Sequence, residues 1–180
     1  MDGIKLAETV CLQLESFWIL QELDALLAED SDSAQTLMNE IYSCRATDWH
    51  TLLPVVRGTT ALTLLALPMA LACRLSDGEL VAKGFEVKDK YSLQCRENGK
   101  PDTFSPKVLL TVLRNAVAHM PDFAAGQCAK PNIWIEGEAI HFWTESKCRE
   151  VVVTTSSGYH QLLNDIVALC RSAASDLLSC

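Results

Sequence analysis

Apolar positions recur first at helical spacing and later at strand spacing, and that change of period divides the chain. The opening "IKLAETVCLQLESFWILQELDALLAE" sets Ile4, Val10, Leu14, Phe17, Leu20 and Leu27 among Glu and Gln, which predicts a helix over about residues 4–28. "EDSDSAQ" interrupts it, and Asp32 or Ser33 can cap a second helix running to Tyr42 or Cys44. Thr47 or Asp48 offers the next cap, with Pro54 and Gly58 disturbing the turn that follows. "ALTLLALPMALAC", residues 61–73, predicts a buried core helix over about 59–75, kinked or started at Pro68 and closed by a turn at Asp77-Gly78. From 79 to 104 the pattern is weak, and "RENGKPD" is turn chemistry; a short helix or irregular segment and then an exposed loop are expected.

"FSPKVLLTVLRNAVAHMP" has a clearer grammar. Ser105 fits the N-cap, and Pro106 fits the first helical position, where its missing N–H costs nothing. Phe104 and Leu109 match a hydrophobic staple. Pro121 biases Met120 away from helical geometry, so this helix should stop near His119. Farther on, "NIWIEGEAIHFW" alternates Ile133, Ile135, Ile140 and Phe142 about Glu136-Gly137-Glu138, a β-hairpin pattern, and "REVVVTT" predicts a third strand. "SSGYHQLLNDIVALCRSAASDLL" is a final helix with Leu162, Ile166, Leu169 and Ala173 on its buried face. The expected fold is mainly α: one domain over 1–180, a helical bundle with a small hairpin or three-stranded β element at 131–154 and a C-terminal helix at 155–178.

Composition supports a globular, helix-leaning chain. Of 180 residues, 49% are hydrophobic and 21% charged, aromatics are sparse at 7%, and only 8 Gly and 6 Pro break elements. The longest apolar run contains Pro68 and falls short of the roughly 20 residues a membrane span needs, so no membrane partner is expected. The net charge of −8 is local. Residues 1–48 hold ten acidic and two basic groups, which leaves thirteen of each in 49–180. That balance supplies no basic stripe for tight duplex binding. The eight cysteines contain no C-x-x-C pair, and Cys11, Cys73 and Cys170 sit in apolar runs as small hydrophobes. No basic stretch leading into an apolar one opens the chain, so a reduced cytoplasmic protein without a signal peptide is expected.

The chemistry concentrates in "LRNAVAH", Leu113 to His119. Asn115 and His119, four apart, share a helix face, while Arg114 lies roughly 140° round from His119. His119 falls at the helix C-terminus, where the macrodipole favours the imidazolium. A proton-exchanging imidazole beside a permanent guanidinium suits phosphodiester cleavage, and both residues also simply complement a helix end. The other histidines carry less. His50 sits in a first turn, His141 should face the solvent side of the hairpin, and His160 lies just inside the last helix; no two share a ligand spacing, so no metal or cofactor is expected. Trp134 and Trp143 pack into the core or, exposed together, make a stacking or protein-binding surface.

A helical domain with "LRNAVAH" on a late, well-capped helix resembles the HEPN superfamily, whose hallmark is Arg, four to six residues, then His, often with Asn directly after the Arg. Arg114, Asn115 and His119 match that motif, and Leu113, Ala116 and Ala118 match its apolar and small neighbours. The motif covers about six residues and the bundle pattern about 120. A hairpin and closing helix after it look like plasmid-borne bacterial HEPN-like families. The resemblance implies a metal-independent endoribonuclease, a toxin or antiphage component, that dimerises so that two motifs share one cleft. His119 would then assist attack of a ribose 2′-OH, Arg114 would hold the phosphate, and Asn115 would orient one of them. Some members only bind a nucleotide, RNA or a partner protein such as an antitoxin, and a strand-rich 131–154 departs from the minimal bundle. A plain helix end is the third reading, and an ion pair from Arg114 within its own chain would favour it.

Overall fold

The computed structural model, which describes residues 3–43, 64–87, 89–119 and 130–178, sets one face of a five-stranded antiparallel sheet against helices. Helix α1 (Gly3–Ala28) turns Leu6, Val10, Leu14 and Phe17, spaced three or four apart, onto the C-terminal helix. Asp30, at φ 58, reverses the chain, and α2 (Asp32–Tyr42) packs on α1 through buried Ala34 and Met38. The N-cap of α2 is Ser31, one residue before the expected Asp32, and its side chain makes no capping bond. The expected caps Thr47 and Asp48, with His50, Pro54 and Gly58, lie outside the described residues.

Helix α3, described over 64–72, carries Leu65, Met69 and Ala72 into the core. It is helical on both sides of buried Pro68, so the proline does not start it, and residues 73–75 form a turn rather than its last turn of helix. Asp77-Gly78 corrects the sequence reading. These residues open a short helix, α4 (Asp77–Ala82), in place of the expected turn. Ser76 Oγ accepts from Glu79 N at 3.3 Å and Glu79 Oε2 accepts from Ser76 N at 2.7 Å, a reciprocal capping box.

Residues 79–104 hold the larger correction. The short helix, one of the two forms expected at the start of this stretch, is α4; after a 3₁₀ turn at Asp89–Tyr91 come strands β1 (Leu93–Glu97) and β2 (Lys100–Asp102), where an exposed loop is expected. Glu97 pairs with Lys100, leaving Asn98 and Gly99 as a two-residue hairpin turn at φ 52 and 76. Both central positions of a type I′ turn need positive φ, and Asn-Gly supplies them at low strain. The predicted hairpin and third strand are present as β3 (Ile133–Glu136), β4 (Ala139–Thr144) and β5 (Arg149–Val153).

The sheet order β2-β1-β5-β4-β3 joins the two hairpins through the β1–β5 pairing. The β element is therefore five strands rather than two or three, and the fold is mixed α/β with six helices among the described residues. Strand alternation sends Leu93, Cys95, Val151, Val153 and Phe142 to one face, where they meet α5 (Pro106–Ala118) and α6 (Ser156–Leu178). Leu65, Leu113, Phe142 and Ile166 line a small apolar cavity where α3, α5, β4 and α6 converge. No helix among the described residues is long and apolar enough to cross a membrane.

Candidate functional site

Local chemistry marks both ends of α5 as expected. Ser105 Oγ accepts from Val108 N at 3.4 Å, Pro106 takes the first turn, and Phe104 and Leu109 are both buried. Asp77 Oδ1 adds an acceptor for Lys107 N at 2.8 Å, a tertiary cap from α4 that no local pattern announces. The helix ends at Ala118, and His119 is its C-cap, with its N–H directed to Asn115 O at 3.0 Å. Met120 and Pro121 lie outside the described residues.

Burial on α5 is one-sided. Leu109, Leu110, Val112, Leu113, Ala116 and Val117 form a continuous buried arc against the sheet and its covering helices. Arg114, Asn115, Ala118 and His119 occupy the remaining arc; the first two are half-buried and the last two exposed. Five residues of helix separate Arg114 from His119 by about 7.5 Å of rise and roughly 140° of rotation, which puts them at opposite margins of that open arc. Asn115 lies between, on the His119 side.

The Arg114 margin abuts the end of α3. Its guanidinium reaches the thiol of Cys73, and Thr111 Oγ1 stands 3.9 Å from the same sulfur. Burial pushes the Cys73 thiol up from its ordinary range, against the opposing pull of Thr111 and Arg114, so the sulfur stays neutral. Arg114 Nε is buried and has no hydrogen-bond acceptor, and among the described residues no carboxylate pairs with the guanidinium. A half-buried cation without an anion is an unfavourable arrangement that an incoming anion relieves. The contact with Cys73 was not legible in the motif, since it depends on what α3 brings alongside.

A second polar constellation lies on the outer face of the sheet. His141 Nδ1 is 3.1 Å from Glu150 Oε1, and Glu150 Oε2 is 3.5 Å from Arg96 Nη1. The His141 ring stacks on Trp134 at 4.5 Å between centroids, while Lys130 Nζ stands 4.9 Å from the Trp134 ring and 4.6 Å from that of Trp143. His141 is on the outward side, as alternation predicts, yet its side chain is only 12% exposed because Trp134 and Glu150 enclose it. Trp143 is buried at 8% and Trp134 half-buried, so the two do not form an open stacking surface. His160 is exposed in the first turns of α6, beside Tyr159.

The two constellations are separate: one on the open arc of α5, the other on the outer face of the sheet that α5 covers from within. The first offers a cation without an anion among the described residues and an exposed imidazole. The second is internally satisfied, each charge facing an opposite charge or an aromatic ring. No protein family, curated protein or solved structure matches this chain.

Proposed function

We propose that the chain is an endoribonuclease of the HEPN kind, active as a homodimer in which α5 from two copies meets across one RNA phosphodiester. Arg114 from one copy and His119 from the other would flank the scissile bond, which answers the separation of the two residues within a copy. The single observation behind the reading is the state of Arg114, half-buried with a buried, unsatisfied Nε and no carboxylate among the described residues. A guanidinium so placed favours the paired oxygens of a phosphate. In the proposed reaction one His119 imidazole takes the ribose 2′-OH proton and O2′ attacks phosphorus. The P–O5′ bond breaks, and the imidazolium so formed gives its proton to the leaving 5′ oxygen. Arg114 holds the charge that grows on the non-bridging oxygens, and Asn115 orients the imidazole or the phosphate. In this reading the six helices carry a HEPN-like bundle and the sheet is an addition to it. The role is that of a cytoplasmic toxin or antiphage-defence component.

A second reading is a module that binds nucleotide, RNA or a partner protein without cutting. The opposite margins held by Arg114 and His119 favour it, because a single copy can hold a phosphate with no proton carrier beside it. RNA incubated in EDTA separates the two. The ribonuclease reading expects cleavage by the wild-type dimer and none by His119→Ala, with circular dichroism unchanged. Intact RNA in the presence of confirmed wild-type dimer overturns it, and binding without turnover that His119→Ala weakens only modestly supports the module.

A further inference from the structure

Helix α1 is apolar on two opposite faces. Leu6, Val10, Leu14 and Phe17 are buried, yet Leu12, Ile19 and Leu26 are 69%, 58% and 45% exposed. These three recur every seven residues and lie roughly 180° from the buried stripe. Glu8, Glu15 and Glu22 recur at the same interval along one edge of the exposed line, and all three are exposed. In heptad terms, Leu12, Ile19 and Leu26 occupy d, Thr9, Ser16 and Leu23 occupy a, and the glutamates occupy g; Lys5 opens the d line. The two hydroxyls of the a line are already satisfied. Thr9 Oγ1 donates to Lys5 O at 2.8 Å and Ser16 Oγ donates to Leu12 O at 2.9 Å, so a dry contact leaves neither donor stranded.

We propose that this seam docks a basic amphipathic helix of a partner protein, with apolar residues on its a and d lines and Lys or Arg on the flanking lines. The charge pattern selects that occupant over a second copy of the chain. A parallel self-pair sets the glutamates against Gln13, Leu20 and Leu27, which offer no cation, and an antiparallel self-pair sets glutamate against glutamate. The wider N-terminal region adds to the bias, with ten acidic groups and two basic in residues 1–48. The proposal stands apart from the ribonuclease reading, since the seam shares no residue with α5.

The probe is a fluorescein-labelled three-heptad peptide with Leu at a and d and Lys at e and g, set beside a counterpart with Glu at e and g. Anisotropy at low salt should show the Lys peptide binding and the Glu peptide failing to bind. Ile19→Asp should weaken the Lys peptide by about tenfold or more without changing the helical signal. Glu8→Lys/Glu22→Lys should reverse the preference towards the Glu peptide, which guards against a folding artefact in the first variant. Failure of the wild-type protein to bind the Lys peptide overturns the proposal, as does binding that neither variant alters. A wild-type dimer that Ile19→Asp alone dissociates assigns the seam to a second copy and likewise overturns it.

Discussion

Arg114 of α5 lies against the neutral thiol of Cys73 at the end of α3, with its Nε buried and unsatisfied. A residue kept there for stability would be expected to face a carboxylate; one kept for a ligand would not. Arg114→Met preserves most of the packing stem and removes the charge. Urea unfolding should place this variant within about 1 kcal/mol of wild type, or above it, because the desolvated cation contributes little to the fold. A loss of more than about 2 kcal/mol would make Arg114 a structural residue and withdraw the observation on which the proposed function stands.

Gly158 sits in a close backbone approach. A Cβ built there would stand 2.4 Å from Tyr91 O and 2.8 Å from Tyr91 C, so α6 can close on the 3₁₀ turn only with glycine at that position. Gly158→Ala should cost about 1–3 kcal/mol through displacement of one element from the other. Thermal unfolding of the variant reads this as a lowered midpoint, and an unchanged midpoint would mean that the contact yields freely.

How much was legible in the sequence depended on how local the cause was. The start of α5 rests on Ser105, Pro106 and the chain around them, and β3 and β4 rest on a clear alternation, so both could be read directly. Strand β1 offers Cys95, Arg96 and Glu97, whose burial follows from pairing with β5 more than fifty residues later, and nothing nearby announces it. Asn98-Gly99 was read as loop chemistry although its flanks pair, because mixed charges hid the strands on either side. Asp77-Gly78 likewise concealed the reciprocal bonds between Ser76 and Glu79. At the candidate site the motif residues were visible and their surroundings were not. The contact of Arg114 with Cys73 and the enclosure of His141 by Trp134 and Glu150 are tertiary facts.

Alkaline pH should destabilise the protein through its buried thiols. Burial pushes Cys170 up to about 12, with a smaller push from neighbouring Cys73. An unfolded thiol ionises near its ordinary value of 9.0 while the folded one keeps its proton, so the unfolded state binds fewer protons as pH rises between those two values. Stability is fully present below the lower value and falls by up to about 1.4 kcal/mol per pH unit above it for this group. Urea midpoints for wild type and Cys170→Ala should converge as pH climbs from 8.5 to 10.5, since the variant lacks the titrating group. Parallel slopes would mean that Cys170 does not carry the effect.

In the proposed dimer Arg114 and His119 of one catalytic pair come from different copies, so mixed variants should complement each other. Arg114→Ala and His119→Ala are each incubated with RNA in EDTA, alone and after mixing at equal amounts under conditions that exchange subunits. Each variant alone should leave the RNA intact. Random pairing makes half of the dimers mixed, and each mixed dimer keeps one of the two equivalent Arg114–His119 pairs in the shared cleft, so the mixture should recover about a quarter of wild-type cleavage. No recovery in a mixture shown to contain mixed dimers, alongside an active wild type, would contradict the shared site.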